Sequence, residues 1–114
     1  MDIINNIHDF VLKHLIQYYE SCKEEELNAS VLDYISNKIG IVASHQFSTY
    51  LTYDNKKERK TKLKEFDNWL MKTSNDVFIK YRKRKIVKAV VNSKYLLLDL
   101  VAKAYLIKMK NGGH

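Results

Sequence analysis

At 114 residues, 46% of them apolar, 11% aromatic and 29% charged, the chain is long enough for one domain with one core and too short for two of ordinary size. Its composition is that of a folding chain rather than a disordered one. The net charge is +7 and unevenly divided: residues 1–55 hold three lysines against eight acids, a net of −5, and residues 56–114 hold seventeen Lys and Arg against five acids, a net of +12. Such asymmetry points to a directed basic surface, offset in part by pairing between the halves.

The single cysteine, Cys22, excludes an internal disulfide and a cysteine-built zinc site, and favours a reducing compartment. The start carries acidic Asp2 and no basic segment before an apolar core, unlike a secretory signal. The apolar run Tyr95 to Leu98, continued past Asp99 by Leu100 to Ala102, falls far short of the roughly 20 residues that a spanning helix needs. The expectation is a soluble or surface-bound protein, cytoplasmic or peripheral at the inner membrane face.

There is no proline, and of the three glycines only Gly40 lies inside the expected ordered region, so little but capping chemistry interrupts helix. Ile3, Ile7, Phe10, Val11, His14, Leu15, Tyr18 and Tyr19 recur at spacings of three and four, predicting a first helix from Asp2, its N-cap, to Cys22. The charged Lys23 to Glu26 ends this helix or opens the next. A second stripe, Leu27, Val31, Tyr34, Ile35, Ile39, Val42, Gln46, Tyr50 and Tyr53, predicts a long helix in which Gly40 either permits a close helix contact or marks a bend.

Asp54 and Asn55 supply a turn and a cap. A third helix follows from Lys56 to Lys72 with Leu63, Phe66, Trp69 and Leu70 on one face. Thr73 to Asp76 break the chain and cap a fourth helix, which takes Val77, Phe78, Tyr81, Ile86 and Val90 through a basic cluster. Asn92 and Ser93 are expected to cap a fifth from Lys94 to Lys110. Period-two alternation and hairpin turns are absent. The expected fold is all-α, a compact bundle of four to five antiparallel helices over residues 1–110, with 111–114 a flexible tail or tag remnant.

Few residues carry recognisable chemistry. His8 and His14 lie on different faces of one helix, and His45 and His114 are equally isolated, so no metal site is expected. Glu24, Glu25 and Glu26 fan outward as a solvated turn. Cys22 lacks a recognisable base partner and reads as a small buried hydrophobe. No glycine-rich phosphate loop is present. The arginine-to-histidine spacing of small helical RNases is missing as well, since Lys64, Val87 and Ala89 stand five residues beyond Arg59, Arg82 and Arg84. Neither catalysis nor a cofactor is expected. Tyr18, Tyr34, Tyr50, Tyr81 and Trp69 fall on the stripes and are assigned to packing.

The sharpest feature is the run Lys80, Arg82, Lys83, Arg84, Lys85 and Lys88, six cations in nine positions, followed by an aliphatic stretch through Ile107. Cations turning around a helix leave several facing outward, as a solvated face or as a site for an anionic surface.

An amphipathic helix ends in VLKHLIQYYE (Val11 to Glu20), and a tyrosine-rich helix (Leu27 to Leu51) follows it. The lysine-rich KKERKTKLKEFDNWL (Lys56 to Leu70) comes next, then a basic stretch with a short apolar helix. This order of features resembles the helical C-terminal region that follows the catalytic fold in bacterial family 2, GT-A type glycosyltransferases. The resemblance implies a catalytic α/β domain upstream with a D-x-D metal motif, which this chain lacks. The chain would then be a non-catalytic accessory piece, excised or separately encoded, that packs on the catalytic domain and meets the anionic membrane through the basic patch. Two other readings remain open: a small helical nucleic-acid-binding protein of phage, plasmid or defence origin, and a helical immunity or adaptor protein. A spare apolar stripe on the first or last helix would serve a homodimer as well as a catalytic domain.

Overall fold

The computed structural model describes the backbone of residues 3–110 and the side chains of residues 10–110; the Asp2 cap, the His8 side chain and the tail at 111–114 lie outside the described residues. The chain forms α1 (Ile3–Glu24), α2 (Ala29–Tyr50), α3 (Lys56–Thr73), α4 (Asn75–Arg82), α5 (Lys85–Asn92) and α6 (Leu98–Lys110), with no strand among the described residues. The fold is all-α, with one helix more than the upper end of the expected range.

Short polar side chains start three of these helices. Asn28 Oδ1 accepts the Ser30 N–H at 2.7 Å, Asn55 Oδ1 accepts the Glu58 N–H at 2.9 Å, and Ser74 Oγ accepts the Val77 N–H at 3.4 Å. The stops are less orthodox. Glu26, Lys94 and Tyr95 take left-handed φ values of 53°, 56° and 68° without being glycine. At the end of α5 the Lys94 N–H donates to the Val91 carbonyl at 2.9 Å and the Tyr95 N–H to the Val90 carbonyl at 3.0 Å, the paired bonds of a Schellman stop. Lys94 therefore ends a helix instead of opening one. The last helix begins four residues later than expected, at Leu98, because Asn92 and Ser93 belong to the end of α5.

α2 is the central helix, touching α1, α3, α4 and α5. Gly40 sits where α4 crosses it: a Cβ there would fall 2.7 Å from Lys80 Cβ and 3.1 Å from the Tyr81 backbone nitrogen. Of the two expected roles, Gly40 takes the close helix contact. Burial around this crossing is deep, with Ala43 and Phe47 of α2, Leu63 and Leu70 of α3, Val77 and Tyr81 of α4, and Val87 and Val90 of α5 all fully enclosed. Phe66 lies at the hub of the aromatic packing, its ring 5.7 Å from both Tyr50 and Tyr81 and 6.0 Å from Trp69.

Only part of the anticipated stripe of α1, Leu15 and Tyr19, turns inward. Leu12, Ile16, Tyr19 and Cys22 go into the core, while Phe10, Val11, His14 and Tyr18 face out. α1 carries two apolar stripes about one residue apart in phase, and α2 covers only one. Tyr18 at 61% and Tyr34 at 63% exposure are thus not packing residues, whereas Tyr50, Tyr81 and the half-buried Trp69 are.

Carboxylates tie the helices together. Asp67 of α3 accepts Arg82 Nε at 2.9 Å and Nη2 at 2.7 Å, together with the Tyr81 hydroxyl at 3.1 Å. Asp76, in the first turn of α4, accepts Lys23 Nζ and the Tyr19 hydroxyl, both at 2.9 Å, and these bonds hold its carboxyl below the usual range. Arg59 is buried, donates to the Tyr53 carbonyl at 2.7 and 3.2 Å, and reaches Asp99 of α6 at 3.0 Å.

Two outcomes follow. Gly40→Ala gains about 1 kcal/mol of helix propensity but meets an overpacking cost of about 1–3 kcal/mol, because the obstructing atoms are backbone or next to it. Urea titration is expected to show a net loss on the order of 1 kcal/mol, with Gly40→Val losing more. The second outcome concerns alkali. Burial, reinforced by Asp67, holds the Tyr81 phenol far above its ordinary range, and burial also raises Tyr19 and Tyr95. A pKa raised in the folded state contributes stability that is fully present below the unfolded value of about 10 and is lost as pH rises beyond it. The urea midpoint should therefore fall above about pH 10, and Tyr81→Phe, though less stable at neutral pH, should flatten that fall.

Candidate functional site

The basic run does not form one helix. α4 ends at Arg82, Lys83 and Arg84 form an elbow, and α5 starts at Lys85. The reason is phase. A straight helix that buries Val77 and Tyr81 would bring Arg84 and Lys88 round to the same inward face. The break instead turns Val87 and Val90 into the core. Arg84, extended at φ −68° and ψ 138°, accepts the Lys88 N–H on its carbonyl at 2.9 Å and provides no side-chain cap for the first turn of α5.

This geometry divides the six cations expected to form one patch. Lys80 is turned inward onto Asp33 of α2. Arg82 is held by the Asp67 carboxylate and lies over the Phe78 ring, 4.7 Å from its centroid; its hydrogen bond to Asp67 strengthens its hold on its proton. Lys83, Arg84, Lys85 and Lys88 are exposed, and among the described residues none of them forms an ion pair. The positive end of the α5 dipole points into the same region.

Two concavities flank the free cations. One, of about 530 Å³, lies between the elbow and α2 and is lined by Lys83, Arg84, Lys85 and Ile86 on one side and Ser44, His45 and Ser48 on the other. The serine protons are already engaged, Ser44 Oγ donating to the Ile41 carbonyl at 2.7 Å and Ser48 Oγ to the Ser44 carbonyl at 3.0 Å. The other, of about 480 Å³, brings Lys85 and Lys88 beside Ala89, Asn92, Ser93 and Leu97. Lys85 belongs to both.

Leu97, 45% exposed, is followed in the chain by further exposed aliphatic side chains. α6 buries only Leu98 and Ala102, with Val101 and Tyr105 half-covered. Leu96, in the turn before α6, is 86% exposed; within α6, Leu100 at 65% exposure, Ala104 and Ile107 form an exposed row at helical spacing, with exposed Lys103 and Lys108 beside it. No helix of the described residues is long and apolar enough to cross a membrane.

Sequence reasoning placed the cations and the aliphatic stretch next to each other along the chain but missed His45 as a wall of the upper cleft and Arg59 as the buried anchor of α6. Arg59 had a signal, an arginine four residues before Leu63 and seven before Phe66 on the apolar face of α3. His45 had none, since its neighbourhood depends on where the elbow falls. A separate cavity of about 440 Å³ has aromatic walls, Phe10, Tyr50, Phe66 and Trp69, with Lys13, Lys62 and Glu65 at its edge. Among the described residues no group of three His, Cys, Asp or Glu gathers to hold a metal, and Cys22 is buried. Compared with protein-family models, with curated proteins and with solved structures, the chain matches none.

Proposed function

We propose that this chain is a non-catalytic helical module that docks on an anionic membrane surface through α5, α6 and the turn between them. The observation that carries the reading is the meeting of Lys85 and Lys88 with Leu97 in one concavity, with Leu96 and Leu100 exposed close by in the chain. A merely solvated basic face does not require an adjoining aliphatic row, and nucleic-acid faces are on the whole more polar and basic than this one. Cations flanking aliphatic side chains match the chemistry of a bilayer interface, where headgroups are anionic and acyl chains begin a few ångströms below.

The magnitudes agree with reversible binding. Four free cations near an anionic leaflet contribute about 1 kcal/mol each, and each leucine adds part of the roughly 1.5–3 kcal/mol of its full burial. Together these reach about 6–8 kcal/mol, a micromolar range of partitioning. The likeness in helix order to the C-terminal region of family 2 glycosyltransferases adds to this proposal a catalytic domain on which the module packs. An accessory module at the cytoplasmic membrane face would meet its catalytic domain through the outer stripe of α1, where Val11 and Tyr18 are exposed.

Co-sedimentation with vesicles tests the docking surface. Binding to phosphatidylcholine vesicles containing phosphatidylserine, absent with phosphatidylcholine alone, is expected to weaken at least tenfold in a Lys83→Glu, Arg84→Glu, Lys85→Glu variant, which reverses charges worth about 1 kcal/mol apiece. Leu96→Ser with Leu100→Ser should weaken it comparably while leaving the thermal midpoint unchanged, since both side chains are exposed. Tight, salt-sensitive binding to DNA without vesicle binding would overturn the reading.

A further inference from the structure

The cleft between α2 and the elbow is more than diffuse attraction to an anionic surface requires. Lys83, Arg84 and Lys85 reach it from backbone fixed on both sides, by the Lys83 N–H on the Lys80 carbonyl at 3.3 Å and the Lys88 N–H on the Arg84 carbonyl at 2.9 Å. Facing them is His45, on the most deeply packed half of the central helix. The serines beside it keep their protons on α2 carbonyls, so the donors in the cleft are three cations and an imidazole. At about 530 Å³ the cavity is in the size range of small-molecule sites. The contrast with the rest of the run is informative: Lys80 and Arg82 are given carboxylates by the fold, and these three are not.

We propose that this cleft binds a phosphomonoester, the terminal phosphate of a lipid headgroup or of a soluble metabolite; in its lipid form the inference rests on the membrane-surface reading above. A phosphomonoester presents three strong acceptor oxygens and a charge of about −1.5 to −2 at neutral pH. The planar Arg84 guanidinium can hold two of those oxygens side by side, and Lys83, Lys85 and His45 surround the third. A phosphodiester or carboxylate headgroup has less charge and fewer free oxygens, and satisfies only the outer cations.

The experiment compares phosphatidylcholine vesicles carrying phosphatidic acid with vesicles carrying phosphatidylserine at matched zeta potential, and adds soluble glycerol 3-phosphate observed by amide NMR. Phosphatidic acid should be preferred by about tenfold, the effect of at least one charge-assisted hydrogen bond. His45→Gln should remove that preference and leave phosphatidylserine binding in place; the residue is exposed, and an unchanged thermal midpoint verifies the fold. Loss of the preference in this variant supports the lipid source even if glycerol 3-phosphate is silent, whereas a preference that survives it overturns the cleft. Equal partitioning into the two vesicle types, with no glycerol 3-phosphate shifts, overturns the cleft and leaves surface docking intact. Binding to neither vesicle overturns the docking surface instead. Glycerol 3-phosphate then decides the cleft: shifts confined to residues 44–48 and 83–86 support a free phosphomonoester, and their absence overturns it.

Discussion

The approach of α4 to α2 at Gly40 fixes the rest of the molecule. With no side chain at that position, the backbone of Lys80 and Tyr81 lies against the central helix, and this sets the rotation of α4 about its own axis. Once Tyr81 points into the aromatic cluster beside Phe47 and Phe66, Lys80 must turn toward Asp33 and Arg82 toward Asp67. The helix cannot go on in that phase without burying Arg84 and Lys88, so it breaks. A missing Cβ thus decides which cations the protein keeps for itself and which it offers outward.

The charge asymmetry between the halves takes on a specific meaning in this light. Among the described residues only Asp33 of the acidic first half meets the basic run; Arg82 and Arg59 take their carboxylates, Asp67 and Asp99, from the basic half itself. Pairing therefore offsets little of the imbalance. Of the basic run, Lys83, Arg84, Lys85 and Lys88 are left without a carboxylate at the elbow and in the first turns of α5.

Much of the architecture was legible in the residues. Asn55 and the Ser74 break mark helix starts through side-chain oxygens placed before helical periodicity, and Leu63, Phe66, Trp69 and Leu70 show the buried face of α3 at a spacing no strand would have. The failures share a cause. Helix stops are readable when glycine or proline encodes them, and here Lys83–Arg84 and Lys94–Tyr95 stop helices because tertiary packing demands a change of phase. In α1, Phe10, Val11, His14 and Tyr18 repeat as regularly as Leu12, Ile16 and Tyr19. Periodicity identifies an amphipathic helix but cannot choose between two stripes when the packed neighbours cover one. The candidate site inherits both limits: its cations were visible, and their division into paired and free depended on a crossing that the linear pattern does not contain.

The buried Arg59 gives the molecule a mechanical layout. α6 rests on the bundle over a small contact, Leu98 and Ala102, and its firmest polar attachment is the Asp99 carboxylate on the Arg59 guanidinium, whose other donors grip the Tyr53 carbonyl just beyond the end of α2. A pull on α6 is thus borne by one rigid, planar group that joins the outermost helix to the end of the innermost one. Where the exposed aliphatic row of α6 takes up a load, Arg59 is the joint through which that load reaches the core.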